Sequence, residues 1–427
     1  TFALNMIWHL LRHPLAFVFF FFFRYIRGMN LERVFKPGPA LLILNHPSAF
    51  TDPIAFTYVF FPLRTRYMAR GDVFKNPLAA FFFNQLGIIP IYRIQDQGKE
   101  GLLKNDTSYT QVIEALKKGQ KVIVFAEGIC IQDRRLKPIK KGVARLALLA
   151  QQALGKVELD IIPIGVNYTD PCRFRSGLWY HVGEPIQVNR YLQQYLQQPA
   201  KAQYELMLAM HQSLLPLVTH VDDARQQNTL PVLEKLYANT LKTPKAFWDK
   251  SHQMANALNA LDLNTRERLE QTATEYSKTC LGLGILEQDV AEHPTAFWKS
   301  MFAIISLGCI AWPGLVIHVP VFWIARRMAR RVKHVEFYTS ALLTYVLIGG
   351  LLWYGVFWLS AAVFFNSAFI GYLFVLLFLI SGIICVFCID RLRMHWRRII
   401  WWRMDQSVKE SLQQKKSELR ILSQSLN

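Results

Sequence analysis

The stretch Asn45-His46-Pro47-Ser48-Ala49-Phe50-Thr51-Asp52-Pro53 holds residue types that a proton-transfer reaction needs. Histidine titrates near neutrality, so it suits the role of general base toward a hydroxyl. A carboxylate on the other ring nitrogen fixes the tautomer and stabilises imidazolium. Asp52 stands six positions after His46. On one straight helix that spacing means about 600° of rotation and about 9 Å of rise, which keeps the two apart. Thr51-Asp52-Pro53 reads as a helix start, with Asp52 near the N-cap and Pro53 in the first turn. A loop over 47–51 then folds His46 back onto Asp52. The plainer alternative is that Asp52 only caps and His46 is an ordinary surface residue, which is the commoner fate of an isolated His/Asp pair.

The elements that must position this pair show in the apolar pattern. Ala40–Leu44, Ile88–Tyr92, Lys121–Phe125 and Leu159–Val166 read as buried strands. Helical stretches such as Tyr109–Lys118 and Gly142–Ala153 lie between them. Strands alternating with helices predict an α/β fold, a mixed sheet flanked by helices, over 31–216. Residues 217–295 are polar and helical in pattern and predict a small helical module.

The remaining apolar sequence predicts a membrane protein. In 1–30, the run Leu15–Phe23 is about 14 Å long as a helix, too short to span, so membrane-contacting helices are expected there. An α-helical membrane domain is expected over 296–390, with spans at about 337–365 and 367–389. Basic clusters flank that pair: Arg326, Arg327, Arg330, Arg331 and Lys333 before it, then Arg391, Arg393, Arg397 and Arg398 after it. By the positive-inside rule both face the cytoplasm. The apolar run 301–324 contains Pro313-Gly314 and Pro320 and is read as a re-entrant segment, which keeps the half that bears His46 and Asp52 cytoplasmic. Residues 391–427 read as a basic-aromatic and polar C-terminal helix.

The formal net charge of +19 fits this reading, because many basic residues sit beside apolar segments. No zinc-finger spacing or detached basic tail points to nucleic acid. Cys385 and Cys388 form a CxxC inside an apolar run without a second ligand pair, so no metal site is expected.

Four blocks then occur in a set order. Asn45-His46-Pro47-Ser48 with Asp52-Pro53 is followed by Gly87-Ile88-Ile89-Pro90-Ile91-Tyr92-Arg93, by Phe125-Ala126-Glu127-Gly128 and by Ile161-Ile162-Pro163-Ile164-Gly165. Together they resemble the motifs of the glycerolipid acyltransferases of the lysophosphatidate and glycerol-3-phosphate acyltransferase type. The resemblance covers residues 30 to about 190. It implies a membrane-bound O-acyltransferase of phospholipid biosynthesis, with His46 as base and Asp52 as its partner. The acyl donor would be acyl-CoA or acyl-carrier protein, and no cofactor is expected. Arg93 would hold the acceptor phosphate, and Gly87, Glu127 and Gly128 would shape its pocket. The implied location is the cytoplasmic face of a bacterial inner membrane.

Two departures qualify the resemblance. Five residues separate His46 from Asp52 where the family usually has four, a form resembling fungal glycerol-3-phosphate/dihydroxyacetone-phosphate acyltransferases. Tyr168, Phe174-Arg175-Ser176 and Gly183-Glu184-Pro185-Ile186 are similar to the same branch. Cys130 stands where the family commonly has an arginine, so Arg134, Arg135, Lys137, Lys141 or Arg175 would replace it. Alternatively the acceptor is another lysolipid, such as a lyso-aminolipid. A reading from a different class is a non-catalytic lipid-binding or scaffold protein that kept the fold.

Overall fold

The computed structural model describes residues 18–63, 65–92, 94–238, 241, 243–290 and 297–424. The chain divides into two units. The first comprises Thr1–Pro171 and Ser176–Val218, the second Cys172–Arg175 and Thr219–Asn427.

The first unit is built on one eight-stranded sheet. Its strands are β1 (Phe23–Met29), β2 (Ala40–Leu44), β3 (Thr65–Arg70), β4 (Ile88–Ile91), β5 (Lys121–Phe125), β6 (Asp160–Tyr168), β7 (Ser176–Val182) and β8 (Ile186–Gln187). The order is β1-β7-β6-β2-β5-β3-β4, and β8 also pairs with β6. β2 runs parallel to both β5 and β6, while β6 and β7 are antiparallel. The sheet is therefore mixed, as expected. β2 reads Ala-Leu-Leu-Ile-Leu and is buried at every position, because it is central and covered on both faces.

The helices of this unit are α1 (Thr51–Val59), α2 (Pro77–Gln85), α3 (Ile94–Lys117), α4 (Lys141–Leu154), α5 (Leu192–Gln197) and α6 (Pro199–Leu214). Val112 and Leu116 of α3, Val143 and Ala147 of α4, and Leu206 of α6 pack on Leu41, Ile43, Val122 and Val124. On α1, Phe56 stacks on Phe60 at 4.2 Å and meets Tyr180 of β7 edge-on at 6.1 Å.

One expectation fails here. Residues 18–22 are helical, but 23–29 are not a membrane-contacting helix. They form edge strand β1, parallel to β7 with Ile26 opposite Leu178. Phe23, Tyr25 and Ile26 are strand formers, and β7 offers them an open edge. The helices expected over 1–17 lie outside the described residues.

The second unit contains α7 (Thr229–Tyr237), α8 (Pro244–Ala260), α9 (Leu263–Gly282), α10 (Phe297–Ala329), α11 (Tyr338–Phe364), α12 (Ala368–Arg403) and α13 (Gln406–Gln424). Thr243 caps α8 by accepting the Ala246 amide, with Pro244 at the first position. Asp262 caps α9 through Thr265. Leu233, Leu258, Leu269 and Tyr276 from α7–α9 share a core with Trp401 of α12 and Leu412 and Leu419 of α13. The C-terminal sequence is thus no separate helix over 391–427. Its basic-aromatic part continues α12 without a break, since neither Pro nor Gly interrupts it, and α13 closes the core of the helical module.

Three helical segments are long and apolar enough to cross a membrane: Phe297–Ala329, Val335–Phe364 and Ala368–Arg403. The first is not straight. A straight helix would hold Ser300 and Arg326 about 39 Å apart. Yet Ser300 Oγ lies 3.3 Å from His395 Nδ1, and Arg326 is close enough to Arg393 to repel it. Both ends of α10 therefore sit beside the same end of α12. Between them, Gly314 meets Ser381 so closely that a Cβ would stand 2.3 Å from its carbonyl oxygen. The returning limb runs beside α11, where Trp353 Nε1 donates to the Ile317 carbonyl at 3.0 Å. Pro313 and Pro320 lie inside the helix; each lacks an N–H and collides with the carbonyl four residues earlier, which bends the chain. His318 Nδ1–H donates to the Gly314 carbonyl at 2.8 Å, so side chains serve backbone acceptors at the bend.

Candidate active site

β2, β5 and β6 point their carboxyl ends the same way, and the candidate site lies off those ends. Asn45, one residue past β2, closes the framework. Its Nδ2 donates to the Val166 carbonyl at 2.9 Å, and its Oδ1 accepts the Val166 amide at 2.7 Å. His46 follows at once. Its carbonyl accepts the Ile131 amide at 3.2 Å. Its ring stacks on Phe125, the last residue of β5, with centroids 3.7 Å apart. Backbone and ring are thereby both held.

The loop after His46 makes a helical turn before α1 begins, as the Asp52 amide donates to the Ser48 carbonyl at 2.9 Å. Asp52 lies in the first turn of α1, but its carboxylate caps nothing in that helix. It turns back instead. Oδ2 meets His46 Nδ1 at 2.8 Å and accepts the Ser48 amide at 2.9 Å. Oδ1 accepts the Tyr168 hydroxyl at 2.7 Å. Asp52 is fully buried, whereas the His46 side chain is 16% exposed. Burial raises the Asp52 carboxyl above its usual range, opposed by the hydrogen bond and charge of His46, then by Tyr168 and Ser48. Among the described residues, His46 Nε2 has no hydrogen-bond partner. With Nδ1 bound to a carboxylate, Nε2 is the atom that can accept a proton.

Glu127 lies two residues past β5 and is buried. Burial pushes its carboxyl up to about 8, against the pull of Lys137. Gly128 adopts φ 65°, a left-handed conformation, and its amide closes a turn onto the Phe125 carbonyl at 3.0 Å. Cys130 Sγ accepts the Ala49 amide at 3.1 Å, tying this loop to the one that follows His46. Sequence reasoning singled out Tyr168 only as part of the resemblance to the fungal branch and did not place its hydroxyl on Asp52.

The Acyltransferase family model matches residues 26–167, which span β1 to β6 and hold His46, Asp52, Phe125 and Glu127. Residues 26–167 form an Acyltransferase-family domain. Glycerol-3-phosphate O-acyltransferase 1 of Saccharomyces cerevisiae is similar at 24% identity over 52% of this chain and 31% of its own length. The chloroplastic 1-acyl-sn-glycerol-3-phosphate acyltransferase BAT2 of Brassica napus is similar at 26% identity over 30% of this chain and 32% of its own. The match thus spans about a third of the length of these relatives. The crystal structure of the 1-acyl-sn-glycerophosphate acyltransferase PlsC from Thermotoga maritima is similar at 19% identity and a TM-score of 0.28, over 42% of this chain and 71% of that one.

The acyltransferase domain gathers only some of the expected binding residues. Glu127 and Gly128 leave β5 at the edge where His46 leaves β2. Lys137 Nζ pairs with Asp133, and Arg135 Nε stands 3.9 Å from the same carboxylate. Lys141 is exposed at the start of α4. Arg134 donates to the Tyr168 and Thr169 carbonyls. Gly87 is not brought to the centre. It precedes β4, three strands away from β2 and at the opposite end of the parallel strands. Its φ of 72° serves the turn between α2 and β4. Gly87 is therefore misplaced to shape a pocket at His46. Arg175 belongs to the second unit, where its guanidinium is held by Asp390 at 3.0 Å. Arg93 lies outside the described residues.

Proposed function

We propose that this chain transfers a fatty acyl group from a thioester, acyl-CoA or acyl-carrier protein, to a hydroxyl of glycerol-3-phosphate or lysophosphatidate. The observation that carries the reading is the 2.8 Å contact of His46 Nδ1 with buried Asp52, which leaves Nε2 without a hydrogen-bond partner among the described residues. Nε2 takes the acceptor's hydroxyl proton as that oxygen attacks the thioester carbonyl. Asp52 stabilises the imidazolium that forms. A C–O bond forms, the C–S bond breaks, and the imidazolium returns its proton to the leaving thiolate. No covalent acyl-enzyme is needed. Glu127 and Gly128, on the neighbouring strand end, border the space for the acceptor. The relatives named above act on glycerol-3-phosphate or 1-acyl-sn-glycerol-3-phosphate by name, which supports this acceptor class. Cys130 in place of a phosphate-facing arginine favours a second reading, a lysolipid with a less anionic head group, such as a lyso-aminolipid.

The bend in α10 supports a topology in which α10 enters and leaves on one face, while α11 and α12 cross. The clusters at Arg326–Lys333 and Arg391–Arg398 then share that face, which by the positive-inside rule is cytoplasmic. The acyltransferase domain precedes α10 in the chain and stays on the same side.

The test is acyl transfer by the purified full chain, with glycerol-3-phosphate, lysophosphatidate and a lyso-aminolipid each offered with both donors and products read by mass spectrometry. His46→Ala and Asp52→Asn are expected to lower the rate by about 10²–10⁴-fold while the protein still inserts in membranes. Wild-type rates in either variant overturn the base assignment. Transfer to none of the acceptors by the wild type favours the lipid-binding or scaffold reading.

A further inference from the structure

The second unit gathers arginines from three separate stretches of chain. Arg393 lies near the end of α12, just past the apolar run that closes at Ile389. Arg397 of the same helix, Arg326 of α10 and Arg173 of the connector Cys172–Arg175 are all close enough to repel it. Two carboxylates stand nearby, and both are engaged. Asp390 holds Arg175 at 3.0 Å, and Asp289 holds Arg397. Among the described residues, Arg173, Arg326 and Arg393 make no ion pair and all three present surface to solvent, although Arg393 is partly shielded from it and Asp390 is near enough to attract it.

A solvated basic face would spread its charges, because like charges repel. Here they converge. The positive-inside rule accounts for arginines flanking a span, but not for Arg173, which arrives from the link between β6 and β7. That link is fastened in place. Phe174 packs on Phe322 of α10 at 5.2 Å and lies beneath the Arg393 guanidinium at 5.9 Å. The residues preceding Arg326 on α10 include Val319, Trp323 and Ile324, all exposed and apolar. Three unpaired guanidinium groups therefore stand where apolar helix surface gives way to polar surface. In a bilayer that is the depth of the lipid phosphates. The guanidinium fork matches phosphate oxygens, and such bonds strengthen at the margin of a low-dielectric region.

We propose that Arg173, Arg326 and Arg393 form a binding site for the phosphate of an anionic glycerophospholipid of the surrounding leaflet. Its acyl chains lie along the Val319–Trp323 surface of α10. The site is independent of the acyl-transfer reading and uses none of its residues. The bound lipid neutralises the repulsion among the arginines and so clamps the connector to α10 and α12.

The test uses the full chain, delipidated in detergent and titrated with phosphatidylglycerol, with bound lipid counted by native mass spectrometry. Arg393→Ala and Arg173→Ala are each expected to weaken retention about tenfold, the worth of one charge-assisted hydrogen bond. Arg391→Ala is the control, because it removes the same charge from the same helix outside the cluster; it is expected to stay within about twofold. Arg393→Lys keeps the charge without the fork and is expected to fall between, which separates lost recognition from lost folding. Phosphatidylcholine and excess inorganic phosphate form the remaining arms. An equal loss in the Arg391 variant makes the attraction diffuse and overturns the site. So does unchanged retention in the Arg393 variant. Displacement of the lipid by inorganic phosphate assigns the cluster to a soluble anion instead.

Discussion

Tyr168→Phe removes one hydroxyl from the candidate centre and keeps the ring that fills its place. In the native structure that hydroxyl donates to Asp52 Oδ1 at 2.7 Å, and both residues are buried. A hydrogen bond to a charged group contributes about 1.5–3 kcal/mol. It is made to the carboxylate, so its loss moves Asp52 further in the direction that burial already drives it, upward. Without that bond the carboxyl sits higher still. An ionised Asp52 is what stabilises imidazolium on His46. The acidic limb of the pH–rate profile is therefore expected to move to higher pH, and kcat near neutrality to fall about tenfold or more, the rate equivalent of that bond. The KM for the acceptor stays nearly constant, since Tyr168 acts through Asp52. Stability follows the same logic. A carboxyl held higher in the folded state binds its proton more tightly there than when unfolded. Its ionisation thus costs stability above the unfolded value, and the cost shrinks as pH falls. The variant is expected to lose the most thermal stability near neutral pH and to approach the wild type in acid. Release of thiol from the donor, followed from acid to alkaline pH, measures the rate effect. A normal kcat with an unmoved acidic limb refutes the reasoning, whatever the variant does to stability.

Two more predictions rest on separate features. Glu127 has a folded value of about 8 against an ordinary 4.5, so stability is lost as pH rises between those values. Glu127→Gln removes that loss and is expected to unfold at higher temperature than the wild type at pH 8, with the difference closing toward pH 4.5; thermal denaturation in detergent at both pH values measures it. For the topology, single cysteines introduced at the exposed positions 281 and 335 are expected to react with an impermeant maleimide from the same side of the membrane, and one at 366 from the other. Labelling of 281 and 335 from opposite sides makes α10 a full span.

The centre of the sheet could be read directly from the chain because β2 and β5 are unbroken apolar runs, which both-face burial demands. β1 could not. Its residues continue the Phe19–Phe23 run, and an aromatic run beside a membrane protein's N-terminus looks the same whether it meets lipid or a strand. β7 supplies the edge that decides the matter, and it lies about 150 residues away. Spacing and helix-start signals made the His46–Asp52 pairing possible, since everything needed lies within nine residues, and the four ordered blocks favoured it over plain capping. The place of Tyr168 was not legible, because its hydroxyl arrives from β6, 116 positions after Asp52. Gly87 misled for the converse reason. Its motif is contiguous with Ile91-Tyr92-Arg93, but a strand carries its two ends to opposite edges of a sheet. The role of α13 was equally hidden, because its partners α7–α9 are separated from it by the whole apolar hairpin.

The doubling back of α10 bears on how the chain comes to be inserted. If both limbs of α10 stay on their side of entry, then among the described residues the backbone that has to be carried to the far side is the turn Phe365-Asn366-Ser367 and its flanks. That turn has no ionised side chain, and Asn366 makes it by adopting φ 50°. On that topology residues 18–290 are synthesised before the hairpin, so the sheet and most of the helical module can fold at the ribosome on the side of entry. Trp401, Leu412 and Leu419 then return to a module already waiting for them, and the hairpin is drawn shut from the side on which it was made.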